Sequence, residues 1–461
     1  MSDELSATDH SSPDSNPEQK GVSVVRDRSF YGLGISQFLG ALNDNLFKQL
    51  VLLLCVDQAR TAGKNAADLQ PLAMAVFAVP WLLFSGLAGV LADRRSKRSG
   101  IVLFKSLEIA VMSAGLLAFL SGQLWLLLVV LFLMSMQSTF FGPPKYGILP
   151  ELFRGRDLPV INGLFQMTTF VAIILGMSVA GFARDLLPGQ TGLAWTSAGS
   201  IAIALIGTAA ALLIRRTSVA QPDLRFSWRA AAIDPENWQL LKSDRFLRGV
   251  VFVSACFWFA GAVVQQAVNS YGKRQLELSD TRTSLLAACM AVGIAVGCVL
   301  GGQLSKNRIR FGLVKVGVWG LIASLLSVLW IPSGMNTSLE YGPHLTLWYQ
   351  IRNPILAAEF YSRIALTAVG LFGGLFIVPL QTCLQSVPPE SQKGRMIATM
   401  NFANWVGILL SAVFYAAVDW LRRMASAEFD IRLPPSTMFL ALAVVLLPIA
   451  IWYRPADREL G

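Results

Sequence analysis

The chain has 461 residues, 54% of them hydrophobic and only 14% charged. A soluble globular chain carries about 25% charged residues, so a soluble domain is excluded and a polytopic membrane protein is expected. Net charge is +10, but its placement matters more than its total, and no nucleic-acid partner is expected. The five cysteines, Cys55, Cys256, Cys289, Cys298 and Cys383, all lie in apolar segments without metal-ligand spacing. They read as small core residues, and no metal or cofactor is expected. The two histidines, His10 and His344, fall in a polar tail and a loop, which excludes a buried histidine proton relay.

Residues 1–29 are rich in Ser, Asp and Pro and cannot bury a core, so a disordered tail is expected. The first apolar segment, 30–56, is long enough to span, since a transmembrane helix needs about 20 mostly apolar residues. Yet it carries Asn43, Asp44, Asn45 and Lys48 near its middle. Polar groups at that depth are expensive and usually face a bundle interior or a wet cavity. Asp44 and Lys48 are four apart and share a helical face, so they can pair. One reading is a cavity wall that binds or gates a polar solute; the other is an ion pair that locks two helices.

Eleven further apolar segments follow: 70–92, 100–120, 123–142, 160–183, 193–215, 248–272, 283–304, 311–331, 364–387, 395–420 and 436–453. They divide the chain into an N-terminal unit over 30–215, a polar connection over 216–247, a C-terminal unit over 248–453 and a tail over 454–461. With the N-terminus inside, the inner segments hold 25 of the 38 Lys and Arg and the outer ones 11. That bias predicts cytoplasmic termini and puts the long 332–363 loop outside. The halves also repeat. Pro143-Pro144-Lys145 and Pro150-Glu151 match Pro379-Leu380-Gln381 and Pro389-Glu390, and the offset of 236 from Pro143 to Pro379 also takes Ile161 to Ile397. Many secondary transporters repeat six spans and bind substrate between the halves. In the third span Lys105 and Glu108 are three apart, so an intramembrane pair is expected.

After the second span comes Gly89-Val90-Leu91-Ala92-Asp93-Arg94-Arg95-Ser96-Lys97-Arg98. Gly89 would permit close helix approach, while Asp93 could cap or pair across a helix end beside boundary-holding arginines. The stretch resembles the loop pattern of the major facilitator superfamily, G-x-L-A-D-[RK]-x-G-[RK]-[RK], departing at Ser96. The resemblance implies an all-α membrane fold of twelve transmembrane helices in two pseudo-symmetric six-helix bundles. It also implies a conformational latch made by Gly89, Asp93, Arg94, Lys97 and Arg98. The second-half counterpart, Gly301 to Lys306, lacks the acid. In the superfamily, spans one, four, seven and ten line the cavity. Here the polar residues of those spans are mostly amides with few net charges, and aromatics are plentiful from Phe30 to Phe376. A mixed apolar and amide lining suits an amphiphile better than a sugar or a small anion; the other reading is that the aromatics face lipid or pack helices.

Two stretches are more specific. Residues 36–54, SQFLGALNDNLFKQLVLLL, and 142–152, GPPKYGILPEL, together with 373–385, GGLFIVPLQTCLQ, resemble the bacterial lysophospholipid transporter family. That resemblance implies a carrier of lysophosphatidylethanolamine-like lipid across the bacterial inner membrane, for re-acylation by a separate acyltransferase. It implies no catalytic residues in this chain, and a monomer is expected. The substrate-binding candidates are Asn43, Asp44, Asn45, Lys48, Lys145, Tyr146, Gln265, Gln266, Asn269, Gln381 and Asn404. Where the family has an Arg near Gln265 and a Glu near Asn404, this chain has neutral amides. The rival readings are an exporter of drugs or amphiphilic metabolites, and a membrane scaffold or sensor presenting the 216–247 segment.

Overall fold

The computed structural model describes residues 27–61, 67–153, 158–217, 244–304, 308–331, 354–386, 393–431, 433–453, 455 and 458–459. Among them run twelve long helices: α1 (Arg28–Thr61), α2 (Gln70–Arg94), α3 (Lys97–Ser121), α4 (Leu124–Gly147), α5 (Leu158–Leu186) and α6 (Gly189–Leu212), then α7 (Arg245–Ser270), α8 (Asp280–Leu304), α9 (Gly312–Ser327), α10 (Pro354–Ser386), α11 (Lys393–Phe429) and α12 (Thr437–Trp452). Eleven are long and apolar enough to cross a membrane, while α12 is a shorter apolar helix of 16 residues, about 24 Å at 1.5 Å per residue. A one-turn helix, Leu149–Leu152, follows α4, and a π turn, Tyr271–Gln275, extends α7. Arg308–Ile309 forms a two-residue antiparallel ladder with Arg458–Glu459.

The two halves pack alike. In the first, α1 lies on α5, α2 on α4 and α3 on α6; in the second, α7 lies on α11, α8 on α10 and α9 on α12. The halves meet along two seams, α2 against α11 and α5 against α8. Each of these pairings has its counterpart six helices on, so the repeat seen in the prolines is a repeat of packing. Apolar residues surround these helices instead of forming one stripe, as suits elements that touch lipid on one side and protein on the other.

The tightest crossing is α8 on α10. A Cβ added at Gly293 would stand 2.1 Å from the Thr367 carbonyl oxygen, and one at Gly370 would stand 1.9 Å from that of Met290. Gly297 and Gly374 repeat the arrangement one turn further on. Two small-xxx-small stripes therefore mesh backbone to backbone, the way helices associate where water supplies no driving force.

Some sequence expectations change. The segment 332–363 is not all loop, because α10 begins at Pro354. Glu359 pairs with Arg363 on its own helix and with Arg282 of α8, so charge continues the helix past the apolar window. Gly89 does not serve a close approach, since a Cβ there would meet nothing within 4 Å. The tail to residue 26, the connection over 218–243, residues 332–353 and the side chain of Asp93 lie outside the described residues.

Candidate functional site

Successive residues on α1 point about 100° apart, so its polar cluster fans out in several directions. Asn43 is fully buried in the first half, where its Nδ2 donates to Glu108 Oε1 at 3.0 Å and to the Ser200 carbonyl at 3.2 Å. Asn45 donates to the Ala41 carbonyl of its own helix at 2.8 Å. Asp44 is half-buried and accepts from Ser138 Oγ on α4 at 2.5 Å, while its Oδ1 is buried without a partner. Lys48 is half-buried too, its Nζ 5.0 Å from the centroid of the Phe77 ring. No direct ion pair joins Asp44 and Lys48. The carboxylate takes a charge-assisted hydrogen bond instead, and the ammonium takes the face of an aromatic ring.

Lys105 and Glu108 do form a direct ion pair, sealed inside the first half. Space for the ammonium comes from two glycines: a Cβ at Gly207 would lie 2.9 Å from Nζ and one at Gly40 3.3 Å. With Asn43 on the other carboxylate oxygen, this network joins α1, α3 and α6. Its surroundings make it a lock within one half.

At the end of the bundle away from the 89–98 loop, the two halves are sealed together. Gln49 Nε2 donates to Asn269 Oδ1 at 3.0 Å, Asn269 Nδ2 to Gln70 Oε1 at 2.9 Å, and Gln70 Nε2 to the Gln266 carbonyl at 3.2 Å. Asp68 accepts from Ser270 Oγ at 2.7 Å and from Tyr415 at 3.2 Å. Beyond this mesh lies a closed ring of four charges, two from each half. Arg184 reaches Asp57 at 2.7 Å and Asp280 at 3.2 Å, while Lys273 reaches Asp57 at 2.8 Å and Asp280 at 2.5 Å. Gln266 and Asn269, expected on the ligand passage, are thus wholly buried in this seal, Asn269 through its side-chain amide and Gln266 through its backbone carbonyl, the Gln266 side chain donating to the Ala262 carbonyl of its own helix. The sequence reading missed the ring, Asp68, Gln70 and Tyr415; the signal of the ring, Asp68 and Gln70 is a polar residue near a span's end, while Tyr415 lies inside α11.

Among the described residues, contacts at the 89–98 loop stay within the first half. Lys97 pairs with Glu151, and Arg98 donates to the carbonyls of Ile214 at 2.8 Å and Leu212 at 3.3 Å, closing the end of α6. Arg94 is exposed. Among the described residues, the bonds that hold this loop thus lie within one half, in contrast to the sealed end.

Between the ends lie the half-buried residues of the facing helices: Asp44, Lys48, Ser138, Trp81, Trp258, Gln265, Gln381 and Trp405. Gln265 donates across the seam to Met177 Sδ at 3.6 Å. Asn404 is buried within the second half, accepting from Ser254 at 3.1 Å. Lys145 sits near the 89–98 loop, seven residues along α4 from Ser138 and about 10 Å away along the axis. Its Nζ lies 4.4 Å from the ring centroid of its exposed neighbour Tyr146. Asp44 and Lys48 thus lie at mid-span with Ser138, and Lys145 and Tyr146 form a separate group nearer the basic loop.

A sequence model of the Major Facilitator Superfamily matches residues 33–412. The chain is 24% identical over 413 residues to the lysophospholipid transporter LplT of Serratia proteamaculans, covering 87% of this chain and 91% of that one. It is 27% identical over 391 residues to LplT of Salmonella gallinarum, covering 83% and 86%. Among solved structures, its fold is similar to the D-xylose-proton symporter, with TM-score 0.62, 14% identity and coverage of 93% and 98%. It is similar also to the nucleoside transporter NupG, with TM-score 0.61, 12% identity and coverage of 91% and 97%.

Proposed function

The chain belongs to the major facilitator superfamily and is a multi-pass membrane transporter; from that premise we propose that its cargo is a lysophospholipid, taken across the bacterial inner membrane for re-acylation. One observation carries the reading. Mid-span on α1, an ammonium rests on a ring face without a direct acid partner, one turn from a carboxylate with an unpartnered buried oxygen. A zwitterionic headgroup would satisfy both, its phosphate at Lys48 and its amine at Asp44. Half-buried aromatics beside them give an acyl chain an apolar wall. The relatives named as lysophospholipid transporters support the same cargo.

The cycle we propose is alternating access. In that cycle the structure, closed at the Asp57–Asp280 end, would be the state open toward the basic loop, the side that the Lys and Arg bias predicts to be cytoplasmic. Return to the opposite state would bring the 89–98 latch against the second half. A separate acyltransferase would consume the delivered lipid, and a single chain suffices for the passage.

Uptake of labelled lysophosphatidylethanolamine into proteoliposomes tests this. The wild type transports it, while Asp44→Asn and Lys48→Ala each slow uptake by at least tenfold. Wild-type rates in both variants remove these residues from the site, and efflux of hydrophobic cations without lysolipid uptake assigns the cargo to the exporter class.

A further inference from the structure

Two indole N–H groups, Trp81 Nε1 and Trp258 Nε1, are buried without a hydrogen-bond partner. An indole nitrogen can only donate, so each is a donor waiting for an acceptor, and leaving such a group unmet is costly. Trp81 lies on the seam where α2 meets α11, and Trp258 lies on α7, which packs on α11. Trp81 stacks flat on Trp405 of the other half, with centroids 4.6 Å apart and planes 9° from parallel. One turn earlier on α2, Phe77 packs its ring against the same Trp405 at 5.9 Å and carries the Lys48 ammonium on its face. Phe77, Trp258 and Trp405 all pack against one apolar cluster containing Leu46, Ala262 and Ile408. Trp81 and Lys48 thus bring two donors, one of them charged, to the Trp405 contact, and Trp258 brings a third to the apolar cluster that Phe77 and Trp405 pack against.

We propose that the indole N–H groups of Trp81 and Trp258 are specificity donors for the phosphate of an amphiphilic ligand. The phosphate would sit beside Lys48 on the Trp81–Trp405 stack. This inference rests on the reading that the cargo carries a phosphate, and it adds which groups recognise that phosphate. A phosphodiester offers two unesterified oxygens with lone pairs for several donors at once, which a neutral glycerol or sugar headgroup does not match in charge. The stack also gives the site a link to the seam, because a phosphate drawn to Trp81 touches the contact between the halves.

The test measures binding of three labelled probes of equal chain length to the full-length protein in dodecyl maltoside: lysophosphatidylethanolamine, an alkyl phosphate and a monoacylglycerol. Trp81→Phe and Trp258→Phe keep the rings and remove only the N–H. Each is expected to weaken both phosphate-bearing probes by about tenfold, as for a hydrogen bond to a charged group, and to leave monoacylglycerol unchanged. A double variant that discriminates phosphate-bearing from neutral probes as the wild type does would overturn the proposal. Should Trp81→Phe fail to fold, the indole ¹⁵N–¹H resonances of the wild type decide: a shift of the Trp81 and Trp258 signals on adding alkyl phosphate supports it, and no shift overturns it. If the wild type ignores the lysolipid yet binds alkyl phosphate through both indoles, the cargo reading fails while this inference holds. If the wild type transports the lysolipid and the double variant keeps its selectivity, this inference fails alone.

Discussion

Asp185, at the end of α5, accepts the backbone N–H of Thr281 at 2.7 Å and that of Asp280 at 3.1 Å. A carboxylate of the first half thereby caps the first turn of α8 in the second half, meeting both its free donors and its dipole. Loss of a capping side chain costs about 1 kcal/mol. Asp185→Ala should therefore shift the balance of sealed to open molecules about fivefold toward open. Labelling rates of a cysteine placed beside Gln266 report the change; an unchanged rate would show that the cap does not hold the halves together.

The four-charge ring predicts non-additive behaviour. Lys273→Ala leaves Asp57 and Asp280 facing each other with one cation between them, and Asp57→Ala leaves Lys273 and Arg184 with one acid. Each single change should open the sealed end more than the double change does, because removing one partner strands a buried charge. Double electron–electron resonance between labels on α5 and α8 would measure the widening. A double variant at least as open as the worse single one would contradict the ring.

Within the first half, Glu108→Gln strands the Lys105 ammonium, which is fully buried. The expected loss is about 3–5 kcal/mol, read as a lower thermal midpoint in detergent, whereas Lys105→Met with Glu108→Leu should recover most of it. Transport by that double variant near the wild-type rate would assign the pair to structure rather than to coupling.

At the α8–α10 crossing, Gly293→Ala and Gly370→Ala force a methyl group against a backbone carbonyl. Overpacking of this kind costs about 1–3 kcal/mol, so both variants should express poorly or melt early. Gly302→Ala is the control, since a Cβ there meets nothing within 4 Å. Equal midpoints for all three would mean the helices can separate freely.

The spans, the division into halves and the loop after the second span could be read in the sequence because each depends on composition or on neighbours in the chain. The apolar window found α1 but not the direction of its side chains: Asn43, Asp44 and Asn45 are consecutive yet reach Glu108, Ser138 and Ala41 respectively. Whether Asp44 and Lys48 pair was open in the sequence, because i,i+4 spacing says only that two groups can meet, and Ser138 and Phe77 compete for them from other helices. The seal was hidden for a related reason. Gln49 and Asn269 are 220 positions apart, and nothing local marks either as the other's partner. The same holds for the glycines of α8 and α10, whose spacing is visible but whose meshing is not.

The interlocked glycines have a mechanical outcome. With backbone lying on backbone, α8 and α10 have little room to slide and form one stiff plank. One end of that plank bears Asp280, clasped by Arg184 and Asp185 of the opposite half, and Gln381 lies toward its other end. Prising the clasp loose would thus tilt Gln381 as a lever tips its far arm, carrying the motion through the bilayer without bending either helix.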